Sequence, residues 1–308
     1  MKILVTGGAG FIASHVADAF IAAGHDVVVL DNLVTGNKAN INPKAKFIEM
    51  DIRDAKVKEV FASEKFDAVD HHAAQMDVRK SVEDPIYDAQ INILGTLNLL
   101  ESCKTYGVKK FIFASTGGAI YGEQDYFPAD EQHPTRPLSP YGISKLTIEK
   151  YLFFYQTVHK LTPFILRYAN VYGPRQNPHG EAGVVAIFAT RMLKGGQPVI
   201  NGDGKQTRDY VFVGDVVRAN IGALNAKTPD CVNIGTGIET DVNELFNRLS
   251  RLTGSNVKEA HGPAKEGEQL RSVLLANKAK KILGWSPTVS IEQGLQETAE
   301  YFRQLVRN

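Results

Sequence analysis

Tyr141 and Lys145 are four residues apart in Tyr141-Gly142-Ile143-Ser144-Lys145. On a helix that spacing puts both on one face, one turn apart. An ammonium beside a phenol favours the phenolate and lowers a pKa that is about 10 in water. Such a pair supplies a phenolic base near neutral pH, where general-base catalysis is most effective. The spacing also arises by chance, so its meaning depends on what the rest of the chain sets beside it. A hydroxyl is one candidate, because Ser115-Thr116-Gly117-Gly118 follows the apolar run Lys110 to Ala114. There Ser115 or Thr116 either caps a turn or hydrogen-bonds a substrate oxygen next to Tyr141.

The elements that must hold these groups start at the N-terminus. Lys2 to Thr6 is a short apolar run suited to a buried parallel strand. Gly7-Gly8-Ala9-Gly10 follows and opens a helical pattern that continues to Ala23. Gly7 and Gly10 allow a tight turn and a close approach of backbone N–H groups to a pyrophosphate, at the positive end of a helix dipole. Asp31 closes the next strand, Val27 to Leu30. A carboxylate there accepts hydrogen bonds from both hydroxyls of an adenosine ribose and repels a 2′-phosphate, which favours NAD over NADP. Strand, glycine turn, helix, strand and acid in this order predict a dinucleotide-binding unit. Phe47 to Asp51 is a third strand, and Asp51-Ile52 ends it on the side where an adenine lies. Asp67 to His71 is a fourth, running into His72-Ala73-Ala74-Gln75, where small residues let the backbone touch the cofactor. His71 and His72 have no partner at metal-ligand spacing and read as strand-end histidines.

The chain has 308 residues, 43% hydrophobic and 22% charged, enough for one large domain or two unequal ones. A net charge of +1, without long single-sign runs, gives no surface for nucleic acid or membrane. Cys103 and Cys231 lie in apolar segments, as buried thiols of a reducing cytosol do. There is no signal-peptide pattern, no apolar stretch of bilayer length and no internal repeat.

Asp84-Pro85 supplies a cap and a first helical residue for a long helix running to Tyr106. Ile86, Ala89, Ile93, Leu94, Leu97 and Leu100 form its expected core stripe, with Ile91 and Leu99 apolar on other faces. Ser139-Pro140 starts the helix of Tyr141 and Lys145 in the same way, and Tyr151 to Val158 leaves that helix almost no polar face. Two helices covered on both sides predict a homodimer through residues 84–106 and 141–159, packed as four helices. Further on, Val184 to Lys194 reads as a helix that could close over a ligand. Arg208-Asp209-Tyr210 precedes a strand at Val211 to Val213, and two amphipathic helices, Asp241 to Leu252 and Ile291 to Phe302, complete the chain.

Thr6-Gly7-Gly8-Ala9-Gly10-Phe11-Ile12, Asp31-Asn32, Ser115-Thr116, Tyr141-x-x-x-Lys145 and Arg167-Tyr168-Ala169-Asn170-Val171-Tyr172-Gly173-Pro174 resemble the extended short-chain dehydrogenase/reductase family, and within it the UDP-glucose 4-epimerases. The similarity covers essentially the whole chain. It implies an α/β fold, a Rossmann-like doubly wound parallel sheet with a smaller C-terminal α/β substrate domain. The implied NAD domain is 1–168 with 209–234 returning to it; 169–208 and 235–308 form the nucleotide-sugar domain. Tightly held NAD is implied, with Thr116, Tyr141 and Lys145 as the catalytic set. Phe11, Ile12, Asn32, Asn92, Ser115 and Tyr168 join the cofactor contacts already named, as do Tyr141 and Lys145 themselves. Asn170, Arg208 and Arg271 are implied to hold a UDP diphosphate, for which a planar guanidinium fork is suited; a surface salt bridge is the alternative for Arg271. The implied activity is cytoplasmic C4 epimerisation of a UDP-hexose, UDP-glucose or UDP-galactose, through a transient 4-keto sugar.

Several positions depart from the family pattern. Ala13 stands at the third glycine of the fingerprint and is small enough for helix–strand packing. Gly117 replaces a serine or threonine four residues before Tyr121, which leaves Thr116 to supply the hydroxyl. Leu275 replaces an acidic residue before Lys278-Ala279, and Asn201 lies where some relatives stack an aromatic on uracil. Gly117-Gly118 also stands where 4,6-dehydratases carry Asp-Glu and decarboxylases an acid, and the two glycines are expected to leave room for a 4-keto ring to rotate. Those two activities, and a non-catalytic NAD-sensing protein, are the alternatives to an epimerase.

Overall fold

The structure is a computed structural model and describes residues 1–178, 183–264 and 269–307. The first half alternates strand and helix: β1 (Lys2–Thr6), α1 (Phe11–Ala22), β2 (Asp26–Asp31), β3 (Lys46–Glu49), α2 (Val57–Glu64) and β4 (Ala68–His71). Then come α3 (Val78–Glu83), α4 (Pro85–Ala89), α5 (Thr96–Tyr106), β5 (Lys110–Thr116), α6 (Gly117–Ile120), α7 (Pro140–His159) and β6 (Thr162–Tyr168). The second half is β7 (Asn170–Tyr172), α8 (Val184–Leu193), β8 (Ile200–Asn201), β9 (Thr207–Phe212), α9 (Val213–Asn225), β10 (Asp230–Ile234) and β11 (Glu239–Asp241). It ends with α10 (Val242–Thr253), β12 (His261–Gly262), β13 (Arg271–Ser272), α11 (Asn277–Leu283) and α12 (Ile291–Arg307).

Seven strands form one parallel sheet in the order β10-β6-β5-β4-β1-β2-β3. Its central strands are buried on both faces, which is why they read as continuous apolar runs. Val5, Val16, Phe20 and Ala219 pack on one face with α1 and α9. Leu4, Phe61, Leu99 and Leu152 pack on the other with α2, α5 and α7. The strand order reverses between β1 and β4, and open α/β sheets bind ligands in the crevice beyond the strand ends at such a point. A second, smaller lobe surrounds β9, which pairs with β7, β11 and β13; α8, α10 and α12 cover it. Arg208 and Asp209 lie within β9 rather than before it, because the strand begins at Thr207 on pairing with β11 and β13.

The helix from residue 85 to 106 differs from its expected stripe. Residues Gln90–Gly95 form a π-helical segment between α4 and α5. Ile86 and Leu94 are 70% and 58% exposed, whereas Asp88, Asn92 and Thr96 are buried. The inward face is polar for its first turns, so a pattern that equates inward with apolar places it wrongly there. No helix among the described residues is long and apolar enough to cross a membrane.

Candidate active site

Gly7 leaves β1 at φ 71°, the left-handed region that favours glycine. A Cβ there would lie 2.7 Å from the backbone nitrogen of Ala73, so the turns after β1 and β4 touch along their backbones. The Ala73 N–H donates to the Thr6 hydroxyl at 3.2 Å, and the Thr6 hydroxyl also meets His71 at 2.7 Å. His71 is closed off on its other nitrogen by Thr96, and burial holds it well below the usual histidine range, a neutral structural group. Gly10 starts α1 without a side-chain cap, so the first-turn N–H groups beside Phe11 and Ile12 are left for a ligand. Asp31 ends β2 with its carboxylate fixed by the N–H groups of Ala9 at 3.0 Å and Leu33 at 2.8 Å. The Asn32 amide donates to Asp51 at 2.9 Å, and Arg53 holds the Asp51 carboxyl down to about 2. Ile52 is buried against Gly95. Past Ala74, the Gln75 N–H and carbonyl pair with the Asn92 side chain, both at 2.9 Å. Asn92 thus braces the strand-end turn.

Ser139 caps α7 through the Gly142 N–H at 3.2 Å, with Pro140 in the first turn. Tyr141 and Lys145 share one face as the spacing requires, the ammonium 5.9 Å from the phenol ring centroid. Lys145 also donates to the Ala114 carbonyl at 2.8 Å and lies 4.8 Å from the Phe113 ring, so it is anchored to the end of β5. The expected lowering of the Tyr141 pKa is absent here. Burial, then the charge of Asp88, pushes the phenol up, while burial brings Lys145 down to about 8. Desolvation outweighs the attraction of the two groups for each other's charge.

Thr116 ends β5 and caps α6, its hydroxyl accepting the Ala119 N–H at 3.2 Å. Ser115 points the other way and donates to Glu149 at 2.6 Å. Glu149 in turn pairs in two prongs with Arg167, which reaches the Tyr121 hydroxyl at 2.9 Å, itself bonded to Asn233. Sequence reasoning expected Gly117 and Gly118 together to leave room for a ligand. A Cβ on Gly117 would lie 2.4 Å from Leu274, so that space is filled by a side chain. At Gly118 a Cβ would meet no clash, only ordinary contact at 3.9 Å with each of Thr116 Oγ1, Asn170 Oδ1 and Ser272 Oγ.

Arg208 lies in β9 opposite Ser272, and its guanidinium donates to the Thr207 carbonyl at 2.8 Å. Arg271 sits one residue along on β13, but its fork is taken by Glu239 at 2.9 and 2.7 Å and it stacks on Phe127 at 3.8 Å. The salt-bridge alternative describes it as it stands. Tyr168, at the end of β6, stacks against His72 and shares a hydrogen bond with Asn220. Asn201 lies apart, in β8 paired with β12. Among the described residues no cluster suits a metal ion.

The model of the NAD dependent epimerase/dehydratase family matches residues 3–235. The chain belongs to that family. It is 50% identical over 98% of both chains to a putative UDP-glucose 4-epimerase of Methanocaldococcus jannaschii. Two solved structures are also similar. One is a UDP-glucose 4-epimerase of Thermotoga maritima with UDP-glucose, 51% identical, TM-score 0.98, covering 99% of this chain and 100% of the other. The second is the UDP-glucose 4-epimerase of Thermus thermophilus with NAD, 45% identical, TM-score 0.94, covering 98% and 99%. This family member is therefore an enzyme whose cofactor is NAD. The cradle fits it: the glycine turn has no room for a Cβ, α1 has no side-chain cap, and a fixed carboxylate stands at the end of β2. Asp31→Ala is expected to narrow the preference for NAD over NADP, since the 2′-phosphate then meets no charge. Calorimetric affinities check this, and equal or tighter NADP binding by the unmodified protein would exclude the role.

Asp88, Glu149, Ser272 and Leu274 were not singled out by sequence reasoning. Each belongs to the site only through contacts between elements distant in the chain, for which no local spacing gives a signal.

Proposed function

We propose that the enzyme interconverts the C4 epimers of a UDP-hexose, UDP-glucose and UDP-galactose. What supports this above all is the set of groups around Gly118, where oxygens of Thr116, Asn170 and Ser272 converge. The Thr116 hydroxyl lies at the end of the strand to which Lys145 holds the Tyr141 face of α7, while Gly117 and Gly118 add neither acid nor base. Tyr141 takes the proton of the sugar 4-hydroxyl and returns it, and Thr116 hydrogen-bonds the same oxygen. Lys145 stabilises the phenolate and orients the nicotinamide ribose. NAD, held by the Gly7–Gly10 turn and Asp31, supplies when bound the reversible two-electron oxidation of that carbon, and its positive charge favours the phenolate. Asn170 and Arg208 hold the diphosphate end, with Arg271 joining once it leaves Glu239. A 4,6-dehydratase needs a further acid and base near C5 and C6, and the residues after Thr116 provide none. Incubation with UDP-glucose or UDP-galactose should give both C4 epimers with no net NADH, followed by NMR. A 4-keto-6-deoxy sugar as the main product would sink this assignment.

The same enzyme is proposed to act as a homodimer. Ile86 and Leu94 face solvent on one helix, and Phe153, Phe154 and Val158, 67%, 45% and 53% exposed, do so on α7, which packs beside it. Large exposed apolar patches mark interaction sites. Phe154→Glu should shift sedimentation from dimer to monomer at micromolar concentration. A wild-type monomer under those conditions would contradict the dimer.

A further inference from the structure

Asp88 has no exposed surface, yet it carries a carboxylate. Its oxygens accept hydrogen bonds from separate parts of the chain. Oδ1 takes the Gln75 amide at 3.1 Å and the Asn92 amide at 2.9 Å, and Oδ2 takes the Ser144 hydroxyl at 2.7 Å. Gln75 belongs to the cofactor-facing turn after β4, Asn92 to the π-helical segment, and Ser144 to α7 between Tyr141 and Lys145. A π-helical turn costs helix regularity and recurs at functional sites. Here it sets Asn92 against both Gln75 and Asp88. Burying a carboxylate is costly unless hydrogen bonds and an opposite charge compensate it. The hydrogen bonds are present, and among the described residues the Lys145 ammonium is the opposite charge that feels it.

The titratable groups around Lys145 are Asp88 from α4, Tyr141 and Glu149 from its own helix, and His71 from β4. His71 is neutral and held by two threonines. Glu149 also favours the charged lysine, but it is already committed to Arg167 on β6 in a two-pronged ion pair. Asp88 remains. We propose that Asp88 is the positioning residue of the Tyr141–Lys145 pair: it ties α7 to the cofactor-facing turn through Ser144 and Gln75, and it is the counter-charge of the buried Lys145 ammonium. It rests on the roles given above to Tyr141 and Lys145, so its test is read on the lysine itself as well as on turnover.

Asp88→Asn preserves the shape of the hub. Oδ1 still accepts the two amides, and the new Nδ2 donates to the Ser144 oxygen, so the charge alone is removed. In protein labelled with ¹³C-lysine, the Lys145 Cε resonance is identified by its absence from Lys145→Met. In the wild type it should titrate near 8, below other lysines. In Asp88→Asn its midpoint should fall by ~1 unit, and the alkaline limb of the pH–rate profile should move with it. Asp88→Ser removes the same charge in a smaller side chain and gives the same shift if the asparagine variant does not fold. Asp88→Glu should restore the midpoint. An unchanged Lys145 midpoint in a folded charge-removing variant overturns the proposal, whatever reaction the enzyme performs. A uniform loss of turnover with both limbs in place also overturns it, because that is the mark of a structural residue only.

Discussion

Replacing Tyr141 by phenylalanine is expected to lower turnover by ~10²–10⁴-fold, the usual worth of a general acid–base group, while NAD stays bound. The ring and its packing are kept, so only the proton-carrying oxygen is lost. Lys145→Met acts differently. The ammonium stands 5.9 Å from the phenol ring centroid, and burial already pushes that phenol above its ordinary value. Without the cation, phenolate forms at still higher pH, so the acid limb of the rate profile should move to higher pH. Steady-state rates across pH, with calorimetry for NAD, check both variants. Near-normal turnover in Tyr141→Phe would falsify the assignment of the base.

Gly7→Ala is the second large effect. The residue sits at φ 71°, where a side chain costs about 1–2 kcal/mol before any contact is counted. Its Cβ would then press within 2.7 Å of the Ala73 nitrogen, and that nitrogen is held by Thr6. Neither turn can yield without moving the crevice between β1 and β4. The melting temperature should fall by several degrees, as a loss of a few kcal/mol does in a chain of this size. NAD affinity should fall ~10-fold or more, each factor of ten being about 1.4 kcal/mol. Thermal denaturation and calorimetry test this, and wild-type values for both would show that the turn is not held as described.

The sheet, the glycine turn and the acid at the end of β2 were legible because their signals are local. A buried parallel strand shows as an apolar run, and the turn that follows needs glycine whatever lies elsewhere. Helix α7 announced itself through Ser139, Pro140 and the spacing of Tyr141 and Lys145. What escaped depends on partners distant in the chain. The stripe through Ile86 and Leu94 was placed inward because the true inward residues, Asp88, Asn92 and Thr96, are polar and become intelligible only beside Gln75, Ser144 and His71. Gly117 looked like open space until Leu274 filled it. For Arg271 the sequence left a diphosphate contact and a salt bridge side by side, and only the folded chain brings Glu239 to its fork. The phenol pKa was read from one neighbour, whereas burial governs it.

The position of β10 at one edge of the large sheet bears on how the chain is made. β10 follows β7, β8 and β9 in sequence yet pairs with β6, and α11 returns from beyond β13 to pack on the same layer. On the ribosome, β6 therefore emerges as an unpaired edge and waits for residues 230–234, while the intervening strands, which belong to the other lobe, are synthesised. Non-local pairings of this kind form slowly and leave partly built sheets open to association. A nascent chain halted before β10 is expected to be a substrate for holdase chaperones. By the same token, the smaller lobe is not a cassette: cutting it out removes the chain that carries β6 on to β10, so it cannot be exchanged whole without breaking the edge of the large sheet.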